Sequence, residues 1–211
     1  MKLILASSSP RRAEVLRNGG IEFEVLPSAI DETRRPGEPA GDYVQRLALE
    51  KARAAVNAHT SGGNFIVIGA DTVVVNRGEI LLKPESPDDA RRMLRQLSGG
   101  VHEVHTGLAL IRLPQQIERV IEDVTQVHFA KLSDAEIDAY IATGEPFDKA
   151  GAYGIQSIGG RYVTRVEGCY FNVMGMPLGR LWALLQELGW SASGPPTGQP
   201  NGPIEQANLR D

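Results

Sequence analysis

Residues 5–12 read Leu5-Ala6-Ser7-Ser8-Ser9-Pro10-Arg11-Arg12, an apolar segment passing straight into small hydroxyls, a proline and two guanidinium groups. Such a segment can bind an anion. Ser9 suits a helix N-cap, and Pro10 suits the first helical position, where its missing N–H costs nothing. The first helical turn would then offer free N–H groups and the positive end of the helix dipole. Arg11 and Arg12 would add donor forks that match phosphate geometry. The same residues also suit an ordinary strand–turn–helix with two solvated arginines, and the segment alone leaves both readings open.

Charge also stands where apolar residues are expected. The run Phe65-Ile66-Val67-Ile68-Gly69-Ala70 continues through Asp71-Thr72 into Val73-Val74-Val75. A carboxylate inside a core strand is costly unless it is paired or holds a metal. The competing reading ends the strand at Gly69 and makes Asp71 a turn cap. In the helical stretch 39–57, Val44, Leu47, Ala48 and Ala55 form one apolar stripe with Lys51 at its centre, while Arg46, Glu50 and Arg53 fall on the opposite, solvated face. Lys51 can either snorkel outward or reach into a cleft to meet an anion. Lys83 follows Ile80-Leu81-Leu82, where a strand gives way to a loop, a place that suits a ligand contact or solvent equally. Glu32 follows a strand and a Pro-Ser turn, and on spacing alone it is a surface acid. The four histidines (His59, His102, His105 and His128) show no metal-ligand spacing, and His102 and His105 fall on opposite faces of a strand.

The elements that must position these groups follow from periodicity and punctuation. Strands are expected at 2–6, 22–26, 64–76, 103–112, 118–130 and 161–167. Helices are expected from Ser9 to the Gly19-Gly20 stop, over 39–57, after the Ser86-Pro87 cap, after the Ser133-Asp134-Ala135-Glu136 capping box, and over 177–189. Leu113-Pro114-Gln115-Gln116 reads as a hairpin between two long strands. The expected class is α/β with a mixed sheet. The chain has 211 residues, 42% of them apolar and 23% charged, which is ordinary for a soluble globular protein. A net charge of −4, a pI near 5.6 and 6% aromatic residues argue against a nucleic-acid polymer or a membrane surface as partner. One cysteine, Cys169, excludes an intramolecular disulfide and a cysteine-based zinc site, in keeping with a reduced, cytoplasmic location. Neither a cleavable signal nor a run of ~20 apolar residues is visible. Residues 1–190 read as a single domain, and 191–211, rich in Gly, Pro, Ser, Asn and Gln, as a disordered tail.

Several of these stretches, in this order, resemble the Maf family of nucleoside-triphosphate pyrophosphatases. They are Leu-Ala-Ser-Ser-Ser-Pro-Arg-Arg (5–12), Ile-Asp-Glu (30–32), Ala-Leu-Glu-Lys-Ala (48–52), Gly-Ala-Asp-Thr-Val-Val (69–74) and Leu-Lys-Pro (82–84). Leu-Ser-Gly (97–99), His102, Val-His-Thr-Gly (104–107), the segment 144–156, Asn172-Val173 and Gly-Met-Pro-Leu (175–178) complete the set, and the likeness spans roughly residues 2–190. Cys169 stands where a more polar residue is expected.

The resemblance implies an elongated, curved mixed sheet with flanking helices and two lobes around a cleft, similar to the inosine-triphosphate pyrophosphatase superfamily. It also implies hydrolysis of a nucleoside triphosphate to the monophosphate and pyrophosphate with a divalent cation, Mg²⁺ or Mn²⁺, and a homodimer. Phe147 to Gln156 looks like the subgroup acting on dTTP and UTP, and the family's specificity positions map onto Arg11, Thr72 and Gln156. On this reading Ser7, Ser9, Arg11 and Arg12 cradle phosphates, and Lys51 and Lys83 neutralise charge. Glu32 and Asp71 hold the metal, and Asp71 also serves as the general base. A non-catalytic nucleotide sensor acting in septum formation is the alternative.

Overall fold

The computed structural model describes residues 1–58 and 63–191; the tail expected to be disordered lies, from residue 192 on, outside the described residues. Its centre is a mixed sheet, formed among the described residues by β1 (Lys2–Leu5), β2 (Glu24–Val25), β3 (Phe65–Asn76), β4 (Glu79–Leu81), β5 (Val101–Leu113), β6 (Ile117–Phe129) and β7 (Val163–Glu167). The strand order is β2-β1-β3-β5-β6-β7, with β4 also on β3. β1 runs parallel to both β2 and β3, and the remaining pairs are antiparallel. The flanking helices are α1 (Pro10–Asn18), α2 (Ala40–Ala58), α3 (Pro87–Leu97), α4 (Asp134–Ile141), α5 (Tyr170–Val173) and α6 (Leu178–Glu187).

Local chemistry accounts for most boundaries. Ser133 Oγ accepts from the Glu136 N–H while the Glu136 carboxylate accepts from the Ser133 N–H, closing the expected capping box. Ser86 caps α3 through the Asp89 N–H at 3.1 Å, with Pro87 at the first helical position. β3 turns into β4 through Arg77 and Gly78, both at positive φ (51° and 81°), the geometry of a two-residue hairpin. The hairpin at 113–116 joins β5 to β6 as expected. The strand expected at 22–26 shrinks to Glu24–Val25, because both residues are exposed and only β1 pairs with them.

The apolar residues of β3 alternate between two faces. Phe65 and Val67 pack with Ala48, Ala52 and Ala55 under α2, while Ile66, Ile68 and Ala70 pack with Leu16 of α1 and Leu181 and Leu185 of α6. On this second face another cluster gathers Val74 and Val104 with Leu94 of α3 and Ile137 and Tyr140 of α4. Two apolar groups therefore share one face of the sheet, and a polar seam at Thr72 and Thr106 divides them.

Two glycines set the distance between α2 and the sheet. A Cβ at Gly69 would overlap the Ala48 carbonyl, and one at Gly107 would overlap the Val44 carbonyl. The helix backbone thus lies directly on β3 and β5. We predict that Gly107→Ala, which forces α2 outward, lowers the unfolding free energy by about 1–3 kcal/mol. Urea denaturation measures this, and an unchanged midpoint would contradict the close approach.

Candidate active site

β1 pairs with β3 only over Phe65–Ile68, and β4 pairs with β3 only over Val74–Asn76. On that edge residues 69–73 of β3 have no strand partner among the described residues. The last sheet hydrogen bond of β1 runs from the Ala6 N–H to the Ile68 carbonyl, at 2.8 Å. The chain then leaves the sheet through Ser7-Ser8-Ser9 into α1. A cavity of about 610 Å³ fills this break, at the carboxyl end of a parallel strand and the start of a helix. The ten site residues expected from sequence all line it: Ser7, Ser9, Arg11, Arg12, Glu32, Lys51, Asp71, Thr72, Lys83 and Gln156.

β3 runs unbroken through Asp71, so Gly69 does not end the strand and Asp71 does not cap a turn. The side chain of Asp71 is 11% exposed, and its Oδ1 accepts from Lys51 Nζ at 2.6 Å. Lys51 also reaches Glu32 Oε1 at 2.8 Å. The lysine on the apolar stripe therefore points inward and ties two carboxylates together. Glu32 sits on a loop fastened to α2 at two points. The Tyr43 hydroxyl donates to the Glu32 carbonyl at 2.7 Å, and Arg46 forks onto Glu38 at 2.6 and 2.8 Å. The bond from Arg46 holds the Glu38 carboxyl down to about 2, against an opposing push from desolvation. Arg46 thus departs from the expected solvated face: its side chain is only 13% exposed, because it clamps this loop.

Asp71 and Thr72 are neighbours on a strand and so point to opposite faces. Thr72 meets Arg12, whose Nη2 donates to Thr72 Oγ1 at 3.2 Å. Arg12 also donates through Nε to the Gly175 carbonyl at 3.0 Å and through Nη1 to Ser7 Oγ at 3.1 Å. Burial lowers the Arg12 guanidinium below its ordinary value, with Asp71 pulling it back up. Ser9 occupies the N-cap position with extended backbone, but its hydroxyl makes no cap bond. Ser7 Oγ takes over part of that work, accepting from the Ser9 N–H at 3.2 Å. Lys83 lies exposed at the rim, and Gln156 is half-buried in the wall.

The cavity wall also contains groups to which the sequence reading gave no role. Asp148 accepts from Arg11 Nη1 at 2.8 Å and from Lys149 Nζ at 2.6 Å. Lys149 is buried despite its charge, and Nζ also donates to the Glu145 carbonyl at 2.7 Å. Glu145 organises the turns that follow: its carboxylate accepts from Tyr140, Ser157, Ile158 and Gly159. Desolvation alone would raise its carboxyl, yet these donors together lower it. Adjacent opposite charges within the Gly- and Ala-rich stretch 148–154 were the one signal available in sequence. Among the described residues, no group of three or more His, Cys, Asp or Glu side chains could hold a metal by itself. His105 faces Glu103 and Glu122, and His102 is buried against Tyr153 and Phe129.

A family model described as "Maf-like protein" matches residues 2–188. The chain belongs to that Maf-like family. A "dTTP/UTP pyrophosphatase" of Anaeromyxobacter sp. (strain Fw109-5) is 50% identical over 202 residues, covering 92% of this chain and 95% of the relative. A protein of the same name from Hahella chejuensis (strain KCTC 2396) is 48% identical over 193 residues, covering 90% and 95%. Among solved structures, the Staphylococcus aureus Ham1 protein matches with a TM-score of 0.47 at 14% identity, covering 89% of this chain and all of that one. Of the stretches whose order resembles the Maf family, all but Leu-Ser-Gly (97–99) and His102 contribute at least one residue to the lining of this cavity.

Two predictions follow from this geometry. Lys51→Met leaves Asp71 buried without its counter-charge, which costs about 3–5 kcal/mol. Adding Asp71→Asn should recover part of that loss, and urea denaturation of the single and double variants tests the coupling. The second concerns His102, whose Nε2 bonds the Tyr153 hydroxyl at 2.8 Å in the wall of the cavity. Burial, with a smaller contribution from His128, holds its imidazole at about 4 against an ordinary 6.5. The unfolded chain takes up this proton below 6.5 while the folded protein refuses it until about 4, so stability falls as pH drops through that window. In His102→Gln this part of the pH dependence should disappear from denaturation midpoints; an unaltered slope between pH 4 and 6.5 would show that His102 does not supply it.

Proposed function

We propose that this protein is a nucleoside-triphosphate pyrophosphatase acting on dTTP and UTP. The observation that carries the reading is the convergence of Asp71, Glu32 and Lys51 beside a helix start bearing Arg11 and Arg12, in one cavity of nucleotide size. The curated relatives bear the matching name.

The reaction joins a water oxygen to the α-phosphorus and breaks the bond to the β-phosphate bridging oxygen, so pyrophosphate leaves and the nucleoside monophosphate remains. Asp71 takes the proton of the attacking water. Its position inside a strand fixes the carboxylate in place, so little reorientation is needed at the moment of attack. Arg11, Arg12 and the free N–H groups at the start of α1 bind and orient the phosphate oxygens, and Ser7 and Ser9 add hydroxyls on the same side. Lys51 neutralises charge next to Asp71, and Lys83 does so from the rim. Gln156, with both an amide donor and an amide acceptor, suits the alternating carbonyl and imide edge of uracil or thymine.

A divalent cation fits the donor set: two carboxylates, oxygen ligands only, already drawn to one positive point by Lys51. Glu32 and Asp71 would hold it, with water and phosphate oxygens as the remaining ligands. When bound, Mg²⁺ or Mn²⁺ would supply charge neutralisation on the phosphates. The protein's own carboxylates number too few to cage the ion alone, in keeping with an ion that arrives with its nucleotide.

The test is pyrophosphate release from dTTP, UTP, CTP, pseudo-UTP and 7-methyl-GTP in the presence of Mg²⁺. We expect dTTP and UTP to lead, and Asp71→Asn to reduce turnover by about 10²–10⁴-fold. Turnover within a few-fold of wild type would remove Asp71 from its role, and preference for 7-methyl-GTP would overturn the pyrimidine assignment. Tight binding without conversion of any triphosphate would instead favour a nucleotide sensor.

A further inference from the structure

Asp148 and Lys149 line the cavity, and the proposed reaction uses neither. Asp148 engages Arg11 twice. Its Oδ2 accepts from Arg11 Nη1 at 2.8 Å, and its main-chain carbonyl accepts from Nη2 at 3.1 Å. This contact crosses the cavity from one apolar group to the other. α1 packs through Ala13, Val15 and Leu16 with α6, whereas Ala152 and Tyr153, just beyond Asp148, pack with α3 and α4. The remaining N–H groups of Arg11 have no partner among the described residues, so Asp148 orients the guanidinium and still leaves it donors for a ligand. Arg11 needs such a hold. It stands in the first turn of α1, next to Arg12 and at the positive end of the helix dipole. Like charges this close repel, and an unheld arginine gains rotamer freedom and hydration by turning out to solvent.

Asp148 is itself fixed from behind. Its Oδ1 accepts from Lys149 Nζ at 2.6 Å, and the same Nζ donates to the Glu145 carbonyl at 2.7 Å. Desolvation pushes the Asp148 carboxyl up, but Lys149 and Arg11 together hold it below its ordinary value. The turn beyond is pinned to the sheet. Gly151 and Ala152 both have positive φ (68° and 62°), a conformation that costs energy at Ala152. The Gly151 N–H bonds the Leu82 carbonyl at 3.1 Å, and a Cβ at Gly151 would press on Val74 of β3. Contacts thus run without a gap from β3 through this turn and Lys149 to Asp148, and from Asp148 to Arg11.

We infer that Asp148 is a positioning residue: held by Lys149, it presents the Arg11 guanidinium to the polyphosphate of the ligand. This rests on the proposed function, which gives Arg11 to the phosphates. Asp148 acts through Arg11 alone, so a double-variant cycle isolates its role. Its side chain is 60% exposed, and Asp148→Ala therefore opens no hole in the core. Charge and positioning also pull in opposite directions here. Removing a carboxylate makes the cavity more positive and by charge alone would tighten an anion, so a loss of affinity reports the loss of orientation.

The experiment measures equilibrium binding of imidotriphosphate, an inorganic triphosphate that resists hydrolysis, in the presence of Mg²⁺, together with the KM for dTTP. The proteins are wild type, Asp148→Ala, Asp148→Asn, Arg11→Met and the double variant Arg11→Met/Asp148→Ala. Asp148→Ala should weaken binding and raise KM by about 10-fold, Asp148→Asn should act in the same direction by less, and Arg11→Met should cost at least as much as Asp148→Ala. In the Arg11→Met background Asp148→Ala should cause no further weakening. A loss of folded protein alone would lower kcat and leave the dissociation constant and KM in place. Equal weakening by Asp148→Ala in both backgrounds overturns the inference, as does unchanged or tighter binding in the single variant. Arg11→Met with wild-type affinity, or a wild type that does not bind the probe, overturns it too. Coupling without release of pyrophosphate from dTTP or UTP would keep the positioning role and remove the proposed function; release with additive effects would do the reverse.

Discussion

A carboxylate held inside a core strand is the constraint on which this structure turns. Asp71 lies in the middle of β3, between Ala70 and Val73, both fully buried. In such a place an unpaired charge costs several kcal/mol. Lys51 meets that cost, and it can do so only because α2 lies against the sheet at backbone distance. Gly69 and Gly107 permit that approach from β3 and β5. The interruption of β3 pairing between Ile68 and Val74 then opens one edge of the strand to the cavity at the level of Asp71. Helix seating, strand register and the position of the cavity thus meet at one negative charge held inside the sheet.

The period of two along a strand divides the cavity into unlike halves. Asp71 faces α2 and shares Lys51 with Glu32. Thr72 faces Arg12, Thr106 and the turn that ends at Gly175. Adjacent residues therefore serve different chemistry without crowding each other. The second half coincides with the seam between two apolar clusters, one under α1 and α6, the other under α3 and α4. A seam of satisfied polar groups is a natural place for a cleft, since no apolar packing is lost by opening it. Gly175, at φ 90°, points its carbonyl at Arg12, and a Cβ there would press on Thr72 Oγ1 at 3.0 Å.

Elements with strong local signals were legible in the sequence. The capping box at Ser133, the Ser86-Pro87 start and the hairpin at 113–116 depend on neighbours within four residues, and they form as read. Asp71 and Lys51 were legible as charges in apolar patterns, because burying a charge is costly enough to mark a position. Their pairing with each other was not, since it depends on how closely α2 lies on the sheet. The pattern makes Ser9 a side-chain cap, yet its hydroxyl makes no cap bond, while its N–H bonds Ser7 Oγ, which also accepts from Arg12. Helical periodicity puts Arg46 on the solvated face because it shows which residues face away from the sheet. It does not show that a returning loop covers them.

Three cations of the cavity, Arg11, Lys51 and Lys149, are held by carboxylates. Asp148 holds Arg11 and Lys149, and Asp71 with Glu32 holds Lys51. This keeps the side chains oriented in a protein of net charge −4. It also raises the threshold for binding. A small anion that captured Lys51 would strand two carboxylates, one of them buried, and lose most of what it gained. A polyanion spanning the cavity, and carrying a cation that satisfies those carboxylates, exchanges partners on both sides and leaves nothing unpaired. On the proposed function, the same pairing would favour a long, cation-bearing polyanion over a small anion.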